Sequence, residues 1–157
     1  MQILDNSLRD RIGETFVSQK QFSEQLRKSE YKERLQILKR FEEVFRASFD
    51  EMYEAAAKDF CRPKTEVDMT EIMVVLSELA IVRKNLKKWM KPKKVLPTLL
   101  LFGTSSQIIK EPKGVTLIIS PWNYAFNLTF NPMISAIAAG NTVIIKPSEH
   151  SPNMSKV

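Results

Sequence analysis

Cysteine, histidine and glycine are scarce in this sequence. The 157 residues include one cysteine, one histidine and four glycines. Because Cys61 is alone, the chain cannot form an internal disulfide or a cysteine-based metal cluster. A lone histidine, His150, does not suit a conventional metal site either. No glycine lies between residues 14 and 102, so this long segment lacks glycine's backbone freedom and is expected to be helical.

Long apolar runs are also absent. No stretch reaches the roughly 18 apolar residues that a membrane-spanning helix needs. Residues 1–6 have neither the basic start nor the apolar core of a signal peptide. We therefore expect a cytoplasmic protein without a membrane segment. The hydrophobic content of 43% is enough for a buried core, so disorder does not describe this chain.

Positive charge is in excess, with a formal net charge of +6. A third of the 24 lysines and arginines lie between Arg83 and Lys110. Such a run is compatible with nucleic-acid binding, but basic residues also complement the dipole at the carboxyl end of a helix. We favour a solvated helix end and expect no nucleic-acid partner.

Apolar stripes at three- and four-residue spacing predict long helices. One covers 33–60, and another begins at Asp68, where Glu71 would complete a capping box, and ends before Pro92. A shorter helix is expected over 14–29. A helical scaffold alone would account for this half, and its apolar positions are expected to form a core: Phe16, Phe22, Leu26, Leu38, Phe41, Phe45, Phe49, Met52, Ala56, Ile72, Val75, Leu76, Leu79, Val82, Leu86 and Trp89.

The pattern after residue 113 is that of an α/β protein. The apolar run 115–119 suits a parallel strand that is buried on both faces. A helix is expected over about 127–139, with Pro132 in its first turn or at a kink and Gly140 just beyond its end. A second strand at 142–145 would complete a β-α-β unit.

Polar clusters follow both of these strands. Ser120-Pro121-Trp122-Asn123 comes after the first strand, and Lys146-Pro147-Ser148-Glu149 comes after the second. Because ligands bind in the crevice at the carboxyl ends of parallel strands, both clusters are expected to belong to one site. Ser151 and Pro152 then have the form of a helix N-cap and first helical residue. Two strands do not make a stable sheet, so the chain is interpreted as the front part of something longer.

These two clusters, with the segment 139–149 around the second, resemble the N-terminal part of an aldehyde dehydrogenase. The separation between the two motifs agrees with that family as well. The helical half, with Lys87-Lys88-Trp89-Met90 leading to Glu111-Pro112-Lys113-Gly114, is similar to the shorter class 3 branch, which includes fatty-aldehyde dehydrogenases.

The resemblance implies an α/β fold in which N-terminal helices precede the first β-α-β unit of a Rossmann-like coenzyme-binding domain, here incomplete. Residues 1–94 would be the helical part of that domain. Residues 95–113 would form a linker with a possible oligomerisation strand around 106–110, and residues 114–157 would hold the β-α-β unit.

The resemblance also implies the roles of the polar residues. Asn123 matches an amide that stabilises the negative oxygen of a thiohemiacetal while an aldehyde is oxidised to a carboxylic acid. Lys146 matches a lysine that reaches the adenosine ribose, and Glu149 matches a carboxylate that accepts hydrogen bonds from the ribose hydroxyls. The remaining cofactor-binding positions would be Ile119, Ser120, Pro121 and Trp122. As alternatives, Asn123 merely caps a turn, and Lys146 and Glu149 form a surface ion pair.

The implied cofactor is NAD or NADP. Glu149 favours NAD, because a carboxylate would repel a 2′-phosphate. The family usually has proline at the position of Ala125, so the turn after Asn123 is expected to be less rigid here. Tyr124 suits either a substrate funnel or core packing.

The family's catalytic cysteine and general-base glutamate lie downstream of the position of Glu149. Cys61 is instead expected to be an inert, buried or half-buried thiol. We therefore expect an N-terminal segment of an aldehyde dehydrogenase that is inactive alone and homodimeric in its full-length form. Two alternatives remain: a non-catalytic module that pairs with a full-length homologue near Ile108 and Ile109, or a basic helical module that binds nucleic acid through 83–94.

Overall fold

The structure is a computed structural model, and it describes residues 6–157. The expectation that the first residues form no signal peptide concerns mainly residues 1–5, which lie outside this described part. No helix among the described residues combines the length and the hydropathy needed to cross a membrane. The helices are α1 (Asn6–Arg27), α2 (Tyr31–Ala47), α3 (Phe49–Phe60), α4 (Lys64–Val67), α5 (Met73–Trp89) and α6 (Ala125–Ala138). The strands are β1 (Lys93–Val95), β2 (Ser106–Ile108), β3 (Val115–Ile119) and β4 (Thr142–Lys146).

Helix α1 begins earlier than expected and contributes little to the core. Leu26 is buried as predicted, but the predicted core positions Phe16 and Phe22 are 48% and 50% exposed. The reason is that α1 meets the sheet near its own carboxyl end. There, Thr142 at the start of β4 donates a hydrogen bond of 3.2 Å from its hydroxyl to the carbonyl oxygen of Gln19 on α1.

The predicted helix over 33–60 is two helices, α2 and α3, which meet at Ser48. The Ser48 hydroxyl donates to the carbonyl oxygen of Val44 at 3.1 Å, a local bond that competes with the helical ladder. The apolar stripe nevertheless continues across the break. Its members Leu38, Phe45, Met52 and Ala56 are buried, and Phe41 and Phe49 are half-buried.

The predicted capping box at Asp68 and Glu71 is wrong. Both residues lie inside a helical segment that begins at Lys64 and runs through a π-helical turn, Asp68–Ile72, into α5. Because the helix has already begun, the amides near Asp68 have carbonyl partners within the helix. The core positions of α5 are confirmed from Ile72 to Leu86, but Trp89 at the end of the helix is 40% exposed.

Two short strands form a hairpin between the helical half and the β-α-β unit. The strand expected around 106–110 is present as β2, and it pairs with β1 in antiparallel register, Lys93 opposite Ile108 and Val95 opposite Ser106. Sequence reasoning did not assign β1. Between these strands, the loop carries large apolar side chains into solvent, among them Leu96 at 94% and Leu100 at 97% exposure.

Strands β3 and β4 pair in parallel, joined by α6, as the sequence predicts. The expectation that β3 is buried on both faces is wrong. Ile118 is 6% exposed, but Leu117 and Ile119 are 59% and 70% exposed. Successive side chains of a strand point to opposite faces, so Ile118 lies on one face of β3 and Leu117 and Ile119 lie on the other. Helix α1 contacts the start of β4, and within the described residues it leaves Leu117 and Ile119 uncovered.

Helix α6 contains Pro132 in its interior, past the first turn. Gly140 follows the helix with a φ of +89°, the left-handed conformation that favours glycine after a helix end. It is also the point at which Arg34 of α2 approaches closely. A Cβ atom on Gly140 would lie 2.6 Å from the guanidinium carbon, and Arg34 Nη1 donates to the Ala138 carbonyl oxygen at 3.1 Å. This contact fixes the end of α6 against the helical half.

Candidate functional site

The carboxyl ends of β3 and β4 lie side by side. Ile119, the last residue of β3, pairs with Lys146, the last residue of β4. One residue further, the Ser120 amide donates to the Lys146 carbonyl oxygen at 3.0 Å. The two polar clusters therefore leave the sheet at the same edge, as the sequence predicts. This edge is the place where parallel α/β sheets bind ligands.

Ser120 is built into the protein rather than presented to solvent. Its side chain is buried, and its hydroxyl oxygen accepts a hydrogen bond of 2.6 Å from the Thr129 hydroxyl on α6. The Ser120 amide is already bonded to Lys146. The Ser120 hydroxyl and amide are therefore both engaged within the protein, and the predicted role of Ser120 in cofactor binding stays a prediction.

The loop that follows carries Asn123. Its side-chain amide makes no hydrogen bond to any of the residues 6–157, so its donors remain available. The backbone carbonyl oxygen of Asn123 accepts a hydrogen bond from Arg62. Pro121 is exposed, and the Trp122 ring is 49% exposed and packs against Phe60 with a centroid separation of 5.8 Å.

Arg62 is a residue that sequence reasoning missed. Its guanidinium carbon lies 5.3 Å from the ring centroid of Phe60 and 5.2 Å from that of Tyr124. The Tyr124 ring thus packs on Arg62 but is 38% exposed, so both predicted alternatives, packing and a substrate funnel, stay open. The signal in the sequence was weak: an arginine in a turn, followed by Pro63. Nothing in local spacing connects it with a loop 61 positions later.

Glu71 links Arg62 to the start of α6. Its carboxylate is fully buried, accepts from Arg62 Nη1 at 2.9 Å, and accepts from the backbone amides of Phe126 and Asn127 at 2.7 and 3.3 Å. Burial raises the pKa of Glu71, and the two amides and Arg62 offset part of that effect. The turn after Asn123 is expected from the sequence to be less rigid because Ala125 replaces proline. The hydrogen bonds from the amides of Phe126 and Asn127 to Glu71 restrain the backbone directly after Ala125.

Lys146 and Glu149 form an ion pair at the surface. Their side chains are 54% and 70% exposed, and Lys146 Nζ donates to Glu149 Oε2. This hydrogen bond lowers the pKa of Glu149. The contact matches the surface ion pair that the sequence left open as an alternative, although it does not prevent either group from turning to a ligand.

The turn that presents Glu149 is held firmly. Ser148 and Ser151 are buried, the Ser148 hydroxyl accepts from the His150 amide at 3.2 Å, and the Ser155 hydroxyl donates to the Ser148 carbonyl oxygen at 2.9 Å. An exposed carboxylate on a hydrogen-bonded turn at the end of β4 suits the recognition of vicinal hydroxyls. The residues present therefore fit the ribose of a dinucleotide.

Cys61 differs from its prediction. It is exposed rather than buried, and it ends α3 with a φ of +52°, a left-handed conformation that is uncommon for residues other than glycine. The side chain reaches neither polar cluster through any hydrogen bond in the described part of the chain. Cys61 lies one residue before Arg62. The turn that it forms therefore helps to place Arg62 near the site, whereas the thiol itself shows no hydrogen bond to the polar clusters within the described residues.

Comparisons with known proteins agree with this geometry. The model of the aldehyde dehydrogenase family matches residues 10–157. The 4,4'-diaponeurosporen-aldehyde dehydrogenase of Staphylococcus aureus (strain NCTC 8325 / PS 47) is 42% identical over 146 residues, which cover 93% of this chain and 32% of that protein. Aldehyde dehydrogenase family 3 member B1 of Bos taurus is 39% identical over 148 residues, 94% of this chain and 30% of that protein.

A solved structure shares the fold. Staphylococcus aureus AldH in a substrate-bound state superposes with a TM-score of 0.89 at 42% identity, covering 92% of this chain and 32% of that one. The match confirms the predicted fold class of N-terminal helices followed by a first β-α-β unit. The chain spans about a third of the length of the curated relatives it matches.

Proposed function

The chain belongs to the aldehyde dehydrogenase family, as its class 3-like motifs predict, and we propose that it forms the oxyanion-stabilising and cofactor-facing part of an enzyme that oxidises an aldehyde to a carboxylic acid. The observation that carries the proposal is the Asn123 amide, which has no hydrogen-bond partner in the described residues and lies in the loop that leaves β3. That loop shares its sheet edge with the residues suited to a cofactor.

Asn123 would act on the reacting carbonyl. When a thiol adds to an aldehyde, the carbonyl oxygen becomes negative, and a fixed N–H donor stabilises that charge more in the transition state than in the substrate. We propose that the thiol comes from outside this chain and that the 157-residue chain alone is inactive. Cys61 is not placed in this role, because it lies in the turn after α3 and makes no hydrogen bond to either polar cluster within the described residues.

The cofactor would lie along the ends of both strands. The chemistry that NAD(P) supplies when bound is acceptance of the hydride from the aldehyde carbon. Glu149 would accept hydrogen bonds from the adenosine ribose hydroxyls, and Lys146 would donate to the same sugar. Ile119, which is 70% exposed, offers an apolar surface beside the backbone of Ser120, Pro121 and Trp122. Glu149 would favour NAD over NADP.

A chimeric enzyme tests this proposal. Residues 10–157 replace the matching segment of the Staphylococcus aureus dehydrogenase, and NAD(P)H formation is followed with an aldehyde that this enzyme oxidises. The chimera is expected to be active. Asn123→Ala is expected to lower kcat by about 100-fold or more while leaving the KM for the cofactor little changed, because one oxyanion donor typically contributes this much.

Two outcomes would contradict the proposal. A loss of kcat below about tenfold in Asn123→Ala would show that this amide is not the oxyanion donor. Formation of NAD(P)H from an aldehyde by the separate 157-residue chain would show that the nucleophile does not come from elsewhere. The matched control is Asn85→Ala, which removes an amide on α5 that donates to the Ile81 carbonyl oxygen and, within residues 6–157, to no other group.

A second candidate function is assembly. We propose that the β1–β2 hairpin joins two copies of the complete enzyme, or pairs this chain with a longer homologue. Ile108 and Ile109 are 55% and 58% exposed, and the adjacent loop exposes Leu96 at 94%, Leu99 at 90% and Leu100 at 97%. Exposed apolar surfaces of this kind mark interaction sites. A strand at the edge of a two-stranded sheet also leaves backbone groups open to another strand.

A further inference from the structure

The turn after α3 and the π-helical turn before α5 converge on the loop that carries Asn123. Arg62 belongs to the first turn and Glu71 to the second. The Arg62 side chain is 13% exposed and the Glu71 side chain is fully buried. Neither residue belongs to the clusters that follow the strands, and the oxyanion and cofactor roles proposed above do not use them.

Arg62 holds the loop on its amino-terminal side. One guanidinium nitrogen donates to the Asn123 carbonyl oxygen, and the other donates to Glu71 Oε1 at 2.9 Å. The guanidinium carbon lies over the rings of Phe60 and Tyr124, at 5.3 and 5.2 Å from their centroids. A planar guanidinium can bond at its edges while it stacks on its faces, and a lysine ammonium cannot do both.

Glu71 holds the loop on its carboxyl-terminal side. Its second oxygen accepts from the amides of Phe126 and Asn127 in the first turn of α6. These amides have no carbonyl partner within the helix, because they belong to its first turn. The Asn127 side chain also donates to the Thr70 carbonyl oxygen at 3.1 Å, which ties α6 to the same π-helical turn.

The residues between these two anchors have little freedom left. The carbonyl oxygen of Asn123 is fixed by Arg62, and the backbone three residues later is fixed by Glu71. A fixed backbone limits the rotamers that the Asn123 side chain can adopt and fixes the point from which it projects. A catalytic donor has to stay within roughly 0.5 Å of its productive position.

We propose that Arg62 and Glu71 form a positioning clamp that aims the Asn123 amide at the reacting carbonyl oxygen. This inference rests on the proposed oxyanion role of Asn123. Arg62 and Glu71 are positioning residues, since they act through the loop and do not touch the substrate. Their effect should therefore disappear when the Asn123 amide is absent.

A double-mutant cycle in the chimeric enzyme tests the clamp. Arg62→Lys is preferred to Arg62→Met, because removal of all charge would leave the buried Glu71 carboxylate unpaired and risk unfolding. Arg62→Lys is expected to lower kcat by about tenfold or more, with the KM for the cofactor changed by less than about twofold. In an Asn123→Ala background the same substitution is expected to change kcat by less than about twofold, because residues that act as a unit are not additive.

The control is Arg46→Lys, which makes the same chemical change at an exposed arginine paired with Glu42 on α2. It should leave kcat unchanged. An equal loss from Arg62→Lys in both backgrounds, or no loss in either, would overturn the clamp. A small effect of Asn123→Ala alone would instead contradict the oxyanion proposal, so the two failures are distinguishable.

Hydrogen exchange on the 157-residue chain gives a readout that is independent of activity. Arg62→Lys and Glu71→Gln are expected to accelerate amide exchange in residues 122–127. Exchange in the middle of α5 should stay as in the unmodified chain, which shows that the variants are folded. Unchanged exchange in residues 122–127 for both variants would overturn the clamp.

Discussion

At the scale of single residues, the Lys146–Glu149 pair is compatible with both a surface ion pair and a role in cofactor binding. The pair is exposed at the surface, where such contacts are worth about 1 kcal/mol or less. A contact this weak is easily replaced by ribose hydroxyls, so forming it does not argue against a role in cofactor binding. What matters for cofactor choice is the negative charge of Glu149, which an exposed glutamate carries at neutral pH and which the hydrogen bond from Lys146 further favours by lowering the pKa.

We predict that Glu149→Gln shifts the chimeric enzyme toward NADP. The substitution removes the charge that would repel a 2′-phosphate and frees Lys146 from its partner. The ratio of kcat/KM for NADP to that for NAD is expected to rise by about tenfold, equivalent to about 1.4 kcal/mol. Glu111→Gln removes a comparably exposed carboxylate, paired with Arg27, and should leave the ratio unchanged. An unchanged ratio in Glu149→Gln would contradict the proposed ribose contact.

At the scale of elements, two helical segments of the β-α-β half are capped by carboxylates from the helical half. Glu71 serves the first turn of α6, and Asp59 of α3 serves the short 3-10 turn Met154–Lys156. Asp59 accepts from the Asn153 side chain at 2.6 Å and from the Met154 amide at 2.9 Å. Glu71 therefore holds the segment that follows the first polar cluster, and Asp59 holds the segment that follows the second. Both carboxylates belong to the helical half of the chain.

Helix caps supplied by residues far away in the sequence separate the parts of the fold that could be predicted from those that could not. The β-α-β unit, Gly140 and the apolar stripes of α2, α3 and α5 follow from periodicity and local backbone preference, and the structure confirms them except at Trp89. The predicted core positions Phe16 and Phe22 of α1 are not confirmed, because α1 contributes little to the core. Sequence spacing instead suggested a capping box at Asp68 and Glu71, and an N-cap at Ser151. Neither forms, since the true cap donors and acceptors are separated by 55 and 95 positions. Local spacing carries no information about such pairs, and Arg62 was missed for the same reason.

We predict an acid-dependent contribution from Asp59. Burial alone would raise its pKa, but the hydrogen bonds from Met154 and Asn153 outweigh burial and hold the pKa below the ordinary value of 3.8. A carboxyl with a lowered pKa stabilises the folded state above its unfolded-state pKa, and this contribution is lost as the pH falls through the folded-state value. Asp59→Asn is expected to lower the free energy of unfolding by about 1 kcal/mol at neutral pH.

Urea unfolding at a series of pH values measures this effect. The difference between the unmodified chain and Asp59→Asn should be constant above about pH 5 and shrink as the pH falls below 3.8. Asp10→Asn on the exposed α1 is the control, since Asp10 caps no other element. A difference that does not vary with pH would show that Asp59 acts by packing rather than by its charge.

At the scale of the whole molecule, the apolar surface is unevenly distributed. One core lies between α2, α3, α5 and α6, where Leu38, Leu79 and Ile134 are fully buried. The hairpin loop is the opposite extreme: Leu99, Leu100 and Phe102 are 90%, 97% and 88% exposed. Lys93 and Lys94 on the adjacent strand are exposed as well, and edge lysines oppose strand-to-strand association. The loop therefore offers a stronger contact surface than the strand beside it.

We predict that the 157-residue chain self-associates through this loop. Replacing Leu99, Leu100 and Phe102 together by glutamine should shift the chain toward monomer at micromolar concentration, measured by size-exclusion chromatography with light scattering and by sedimentation velocity. The same triple replacement of Leu8, Ile12 and Phe16 on α1 is the matched control, because those side chains are only about half exposed, at 43%, 55% and 48%. Association that survives the loop variant but not the α1 variant would assign the contact to α1 and remove the support for assembly through the hairpin.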